Sequence, residues 1–334
     1  MFNMYKLLFL ISLMTGTLIT ISSYSWMGMW MGMEINLLSM IPLLSNYKNM
    51  LNNEAALKYF ITQALASTMM LFAIIMMSSN FMKNWENSFN LIFNSSMLTK
   101  MGAAPFHFWF PEVMEGLNWM NCLLLLTWQK IAPMILVMYN NMTMFFSMVI
   151  MFSMFISGIL GINQTSLRKI LAYSSINHIG WMISSLLFME SIWMIYFITY
   201  SIISINIILI FKKFNIFYLT QTFFLMNKNS LMKMFFIMNF LSLGGLPPFL
   251  GFMPKWLTLQ LLLESNIMLL PLIMVIMTLV TLYFYMRITF STLMICNNEP
   301  NYNFNYKYYE WILMMTNFLS LMGLLILTLI FNFY

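Results

Sequence analysis

The chain has 334 residues, 61% of them hydrophobic and only 7% charged, whereas a soluble domain carries about a quarter charged residues. So few charges cannot clothe a water-facing surface, and the basic residues behind the formal charge of +6 are scattered singly or in pairs, which excludes a nucleic-acid tract. The two cysteines, Cys122 and Cys296, are too few and too far apart for a disulfide framework or an iron–sulfur site, so no redox cofactor or metal is expected in the chain.

Apolar runs of membrane-spanning length recur from end to end, separated by short Asn-, Lys- or Pro-containing breaks. A bilayer offers no water to backbone groups, and the runs lack the alternation of barrel strands, so the fold class is an all-α polytopic membrane protein. The first run, Leu7 to Ile21, follows a single lysine and meets no small-residue cleavage site, which reads as a retained span. In chain order the spans fall at 4–22, 25–44, 55–79, 89–104, 120–139, 143–161, 170–189, 191–211, 232–246, 267–291 and 309–332, about eleven in all. Two further segments, 105–119 and 247–264, are proline-rich and follow short spans, as the second halves of helices broken within the membrane would. Alternating sides place every span-end Lys and Arg except Lys83 on the side of the N-terminus, which puts that terminus on the matrix side.

Pro105-Phe106 with Pro111 and Pro248-Phe249 with Pro254 share the form P-F-x₄-P at an offset of 143 residues, and both lie in the broken segments. The pattern predicts two inverted five-helix repeats, 1–139 and 140–293, followed by a loop and last span at 294–334. The excess of Met and Phe, with acidic residues that are all Glu, points to an AT-rich gene read with extra methionine codons, as in a mitochondrial genome.

A charge at the centre of a lipid-embedded helix costs about 2.5–3.5 kcal/mol even on the lenient insertion scale, so such residues mark pathways. Glu34 sits mid-span, Lys100 late in the fourth span, Lys130 after Thr127-Trp-Gln, and Lys255 after Pro254. Burial disfavours the charged form of each and a nearby opposite charge restores it, which makes the four a candidate proton relay. The alternatives are a static Glu34–Lys100 pair, and snorkelling of Lys130 and Lys255 to an interface. His107 and His178 read equally as proton carriers or as hydrogen-bonded residues filling the bundle.

The strings Lys100-Met-Gly-Ala-Ala-Pro-Phe-His-Phe-Trp-Phe-Pro-Glu112, Thr127-Trp-Gln-Lys-Ile-Ala-Pro133, Asn163-Gln-Thr-Ser-Leu-Arg-Lys-Ile-Leu-Ala-Tyr-Ser-Ser-Ile-Asn-His178 and Leu243-Gly-Gly-Leu-Pro-Pro-Phe-Leu-Gly-Phe-Met-Pro-Lys255 resemble the antiporter-like subunits of mitochondrial respiratory complex I, in an arthropod form. The resemblance implies inverted five-helix repeats and gives Glu34, Lys100, Lys130 and Lys255 the family's place in a hydrophilic axis through the membrane arm. It also implies proton translocation coupled to electron transfer from NADH to ubiquinone. By that resemblance NADH, FMN, iron–sulfur clusters and ubiquinone bind in other subunits, and the partners are membrane-arm and supernumerary subunits and inner-membrane phospholipids. A secondary cation/proton antiporter and a structural scaffold remain as other readings of the residues.

Overall fold

In the computed structural model of the chain, residues 4–46, 49–78, 86–226, 230–294, 317–318 and 323 are described. The rest of the expected span at 309–332, Lys83 and Cys296 lie outside them. The chain divides into two compact units, Met1–Phe152 and Ser153–Tyr334.

The first unit contains α1 (Met4–Ser22), α2 (Trp26–Leu44), α3 (Met50–Ser78), α4 (Glu86–Met101), α5 (Trp109–Gly116), α6 (Trp119–Leu126) and α7 (Trp128–Met138), and α8 (Thr143–Ile162) carries the boundary. The second contains α9 (Leu167–Leu186), α10 (Glu190–Phe214), α11 (Leu219–Met226), α12 (Ser230–Gly244), α13 (Phe252–Glu264) and α14 (Leu269–Met294). Among the described residues the only β geometry is one isolated bridge between Ser166 and Tyr218. Seven helices there are long and apolar enough to cross a membrane: α1, α2, α3, α6 with α7, α8, α10 and α14. Leu8, Ile11 and Leu18 on α1, Leu57, Ile61 and Leu65 on α3, and Leu272, Ile276 and Leu279 on α14 are exposed, a surface suited to lipid rather than water.

The helix α9 falls short of those seven because its interior is polar, with Ser174, Ser175, Asn177, His178, Ser184 and Ser185. Every residue of it but Arg168 and Lys169 is buried, so no face of it meets lipid. Ser174, Ser175, Ser184 and Ser185 each return a hydroxyl proton to the carbonyl three residues before, at 2.7 to 2.8 Å, which gives each an acceptor on its own helix.

Both expected helix breaks exist, and they are built alike. The spans were expected to run to 104 and 246 and stop at the prolines; they stop at Met101 and Gly244 instead. Glycine ends them, because Gly102 (φ +74°) and Gly245 (φ +77°) take the left-handed conformation that closes a helix. In the first break Gly102 N–H donates to Thr99 O and Ala103 N–H to Leu98 O, and in the second Gly245 N–H donates to Ser242 O and Leu246 N–H to Leu241 O. Each pair is the crossed hydrogen-bond pattern of a left-handed C-cap. Cis peptides follow at Ala104–Pro105 and Pro247–Pro248, and helix resumes at Trp109 and Phe252. Every one of these features recurs at the same offset as the P-F-x₄-P motif.

Two local features were not expected from the sequence. The span at 120–139 is interrupted at Thr127 (φ −114°, ψ −72°), which separates α6 from α7. The stretch between 211 and 232, read as a connection, contains α11, whose third residue Gln221 accepts from the N–H groups of Phe217 and Tyr218 at 2.7 and 3.2 Å, a side-chain cap that starts the helix.

The second break supplies a clean test. At Gly244, a helical residue, an added Cβ would meet nothing closer than Leu282 at 3.6 Å, whereas at Gly245 it would lie 2.8 Å from Lys255 Cδ on a left-handed backbone. Gly245→Ala should destabilise the fold by about 1–3 kcal/mol and Gly244→Ala should be neutral or slightly stabilising. Thermal release of the chain from the purified complex reads the difference, and equal melting of the two variants would contradict the cap assignment.

Candidate functional site

In the first unit, α2, α3, α4 and α7 bring polar side chains together. Asn36 (α2), Tyr59 and Gln63 (α3), Lys100 (α4) and Gln129 (α7) line a cavity of about 10 Å³ closed by Met33, Leu37 and Pro133. That volume matches a single water. Gln129 Nε2 donates to Asn36 Oδ1 at 2.9 Å, Tyr59 Oη donates to Gln129 Oε1 at 3.5 Å, and Gln63 Nε2 donates to Lys100 O at 3.4 Å. Lys100 itself is 7% exposed.

Glu34 lies two residues before Asn36. Its Oε1 is buried without a hydrogen-bond partner, and no ion pair joins it to Lys100. The static pair considered from sequence is therefore not formed. Lys130, one residue beyond Gln129, is 1% exposed with its Nζ 5.8 Å from the centre of the Phe110 ring, a cation–π contact. It does not snorkel. The ion pairs on described residues of this unit lie away from the cavity, where Lys58 bridges Glu54 at 3.1 Å and Glu112 at 2.9 Å with all three side chains exposed.

His107 occupies the first break. It is 2% exposed, its Nδ1 lies 3.3 Å from Pro105 O, and its ring stacks at a tilt on Phe108. This geometry fits the residue that fills the break.

In the second unit Lys255, 7% exposed, donates to Leu243 O at 3.3 Å and Gly244 O at 2.9 Å across the second break, beneath the Trp181 ring at 5.8 Å. These are the last carbonyls of α12, where the negative end of the helix dipole favours a cation. Nearby on α9, His178 Nδ1 meets Tyr196 Oη at 2.8 Å and its ring packs on Tyr200, while Asn177 Nδ2 donates to Thr281 Oγ1 on α14 at 2.9 Å. Among the described residues, no group of three or more His, Cys, Asp or Glu side chains is gathered that could hold a metal ion.

Sequence reasoning looked for charges and so missed Asn36, Tyr59, Gln63, Gln129, Tyr196 and Thr281. A signal was present: Tyr59 and Gln63 lie one turn apart and face the same way, and Asn36 and Gln129 are amides inside apolar runs.

Buried lysines among uncharged polar side chains, in units that each carry a broken helix, are features of an antiporter-like membrane bundle. Residues 23–281 match the family NADH:quinone oxidoreductase/Mrp antiporter, TM, and the chain belongs to that family. Its relatives include the NADH-ubiquinone oxidoreductase chain 2 proteins of Anopheles gambiae, 51% identical over 97% of both chains, and of Locusta migratoria, 48% identical over 97% of this chain and 96% of that one. The protein of the same name from Loxodonta africana is 40% identical over 90% of this chain and 89% of its own. Among solved structures, respiratory complex I from Thermus thermophilus with bound Aureothin matches at a TM-score of 0.85 with 22% identity, over 96% of this chain and 78% of that one. The Mrp complex from Dietzia sp. DQ12-45-1b matches at 0.74 with 14% identity, over 88% and 61%. Both share the fold.

Removing the Tyr196 hydroxyl by Tyr196→Phe takes away a buried hydrogen bond of His178 and should cost about 1 kcal/mol of stability. Thermal melting of the assembled complex measures it, and an unchanged melting point would remove the Tyr196 bond from the account.

Proposed function

We propose that the chain is the antiporter-like membrane-arm subunit of a respiratory NADH:ubiquinone oxidoreductase and takes part in moving protons across the mitochondrial inner membrane. Electrons pass from NADH to ubiquinone in other subunits, which hold the FMN and iron–sulfur clusters. The chain binds no NADH, sits among membrane-arm and supernumerary subunits and phospholipids, and keeps its N-terminus on the matrix side.

The observation that carries the reading is the buried Lys100, which lines a cavity with three amides and makes no ion pair with Glu34. A carboxyl and an amine set within membrane-spanning helices without an ion pair are groups of the kind a proton path uses. Lys130 extends the ionisable set in the first unit, and Lys255 supplies the second. In this reading the four carry protons, with His107 and His178 as supporting members. Moving one charge against 100 mV takes about 2.3 kcal/mol, so the energy comes from the redox reaction elsewhere in the complex. Inverted five-helix repeats over 1–139 and 140–293 give the two units their common plan.

Replacing Lys100 or Lys130 by Met keeps the volume and removes the charge. Each variant should assemble and lose proton pumping by about tenfold or more, roughly the 1.4 kcal/mol per decade expected when a step on the path is blocked. Normal proton translocation per NADH oxidised in both assembled variants would leave the chain a scaffold, and activity driven by a Na⁺ or pH gradient without NADH would make it a secondary antiporter.

A further inference from the structure

We infer that Gln129 is a positioning residue for proton exchange at Lys100, held in one orientation by Asn36 and Tyr59. The inference rests on the proton-carrying reading of Lys100. Gln129 receives the hydroxyl proton of Tyr59 on its Oε1 and gives an Nε2 proton to Asn36 Oδ1. Both ends of the Gln129 amide are thus engaged, one by each neighbouring helix, and the side chain is held at the wall of the cavity it shares with Lys100.

The local backbone is arranged for this. Gln129 stands two residues after the irregular Thr127, so the helix restarts immediately before it. Pro133, four residues on, has no N–H to give, which frees the Gln129 carbonyl from the helical ladder next to the same cavity. On the opposite wall Gln63 holds the Lys100 carbonyl, so the backbone that carries the ammonium is also tied. The ionisable groups on the surrounding helices are Glu34 on α2, Glu54, Lys58 and Tyr59 on α3, and Lys130 on α7. Of these only Tyr59 lines the cavity with Lys100.

An independent observation comes from the second unit. There Asn177 on α9 ties to Thr281 on α14 at 2.9 Å. Those are the second and last helices of that unit's five-span group, as α2 and α7 are of the first. A tie between an asparagine and the last helix thus occurs in each unit, at unlike residues, as it would if the tie and not the residue were kept.

A Gln129 proton never leaves the amide. The proton that departs Lys100 Nζ passes to a water held in the cavity, and the amide that lines it positions that water.

The test uses the intact membrane complex, scoring assembly on native gels and proton pumping per assembled complex. Gln129→Met preserves volume and should assemble normally while pumping falls at least fivefold. Adding Asn36→Leu should produce no further loss, since both act through one bond. Exchanging the two amides, Asn36→Gln with Gln129→Asn, should restore at least half of the pumping, which a purely packing role would not require. Tyr59→Phe, the mildest change, should lower pumping about twofold with full assembly. Full pumping in assembled Gln129→Met, or loss of assembly in Gln129→Met with full pumping in Tyr59→Phe, overturns the inference. If Lys100→Met is silent too, the proton-carrying reading fails with it; if Lys100→Met abolishes pumping and Gln129→Met does not, only the role of Gln129 is lost.

Discussion

Backbone groups at membrane depth need partners from the protein, and the two broken helices are where this constraint presses hardest. Ending α4 at Met101 and α12 at Gly244 leaves carbonyls without their helical donors. The crossed bonds at Gly102 and Gly245 close some of them. The remainder are closed differently in the two units. In the first, Lys100 O receives Gln63, while Thr99 O, already joined to Gly102 N–H, takes the Trp109 indole N–H at 3.0 Å as a second donor. In the second, Leu243 O and Gly244 O receive the Lys255 ammonium.

One backbone motif is thus capped by neutral donors in one unit and by a cation in the other, and the lysines are freed or engaged accordingly. Lys100 has no capping duty and lines the polar cavity. Lys255 is bound to the helix end it faces, so loss of its proton would remove a charge-assisted cap as well as a charge. The offset that superposes the two breaks carries Lys100 onto Leu243, whose carbonyl Lys255 reaches, and carries Lys255 back onto Glu112, which pairs with Lys58 at the exposed end of α3. Lys100 and Lys255 therefore stand on opposite sides of equivalent breaks.

Much of this was legible in the sequence because apolar runs and prolines report directly on helices in lipid. The runs at 4–22, 143–161 and 267–291 are α1, α8 and α14 to within a few residues, and both proline motifs mark real breaks. The stop positions were misplaced because the prolines are the conspicuous residues, whereas the glycines before them end the helices. The break at Thr127 left no comparable mark, since threonine is an ordinary residue in an apolar run and only its backbone angles depart from the helix. Among the candidate residues, charge made Glu34, Lys100, Lys130 and Lys255 visible. It could not show that Lys130 rests against Phe110 or that Lys255 caps a helix, because both depend on contacts far along the chain.

The polar residues that the search for charge passed over follow from the same constraint. A buried ammonium is tolerated only where dipoles can turn towards it, and amides and hydroxyls supply dipoles without adding a second charge to be buried. The first unit does this with Asn36, Gln63 and Gln129 drawn from three helices around Lys100. The second concentrates its polar groups on α9, the helix sealed from lipid on every side, where serines satisfy themselves on their own backbone and Asn177 and His178 reach Thr281 and Tyr196. In both units uncharged polar groups are gathered inside the bundle, and their dipoles help an ionisable side chain to exist at membrane depth.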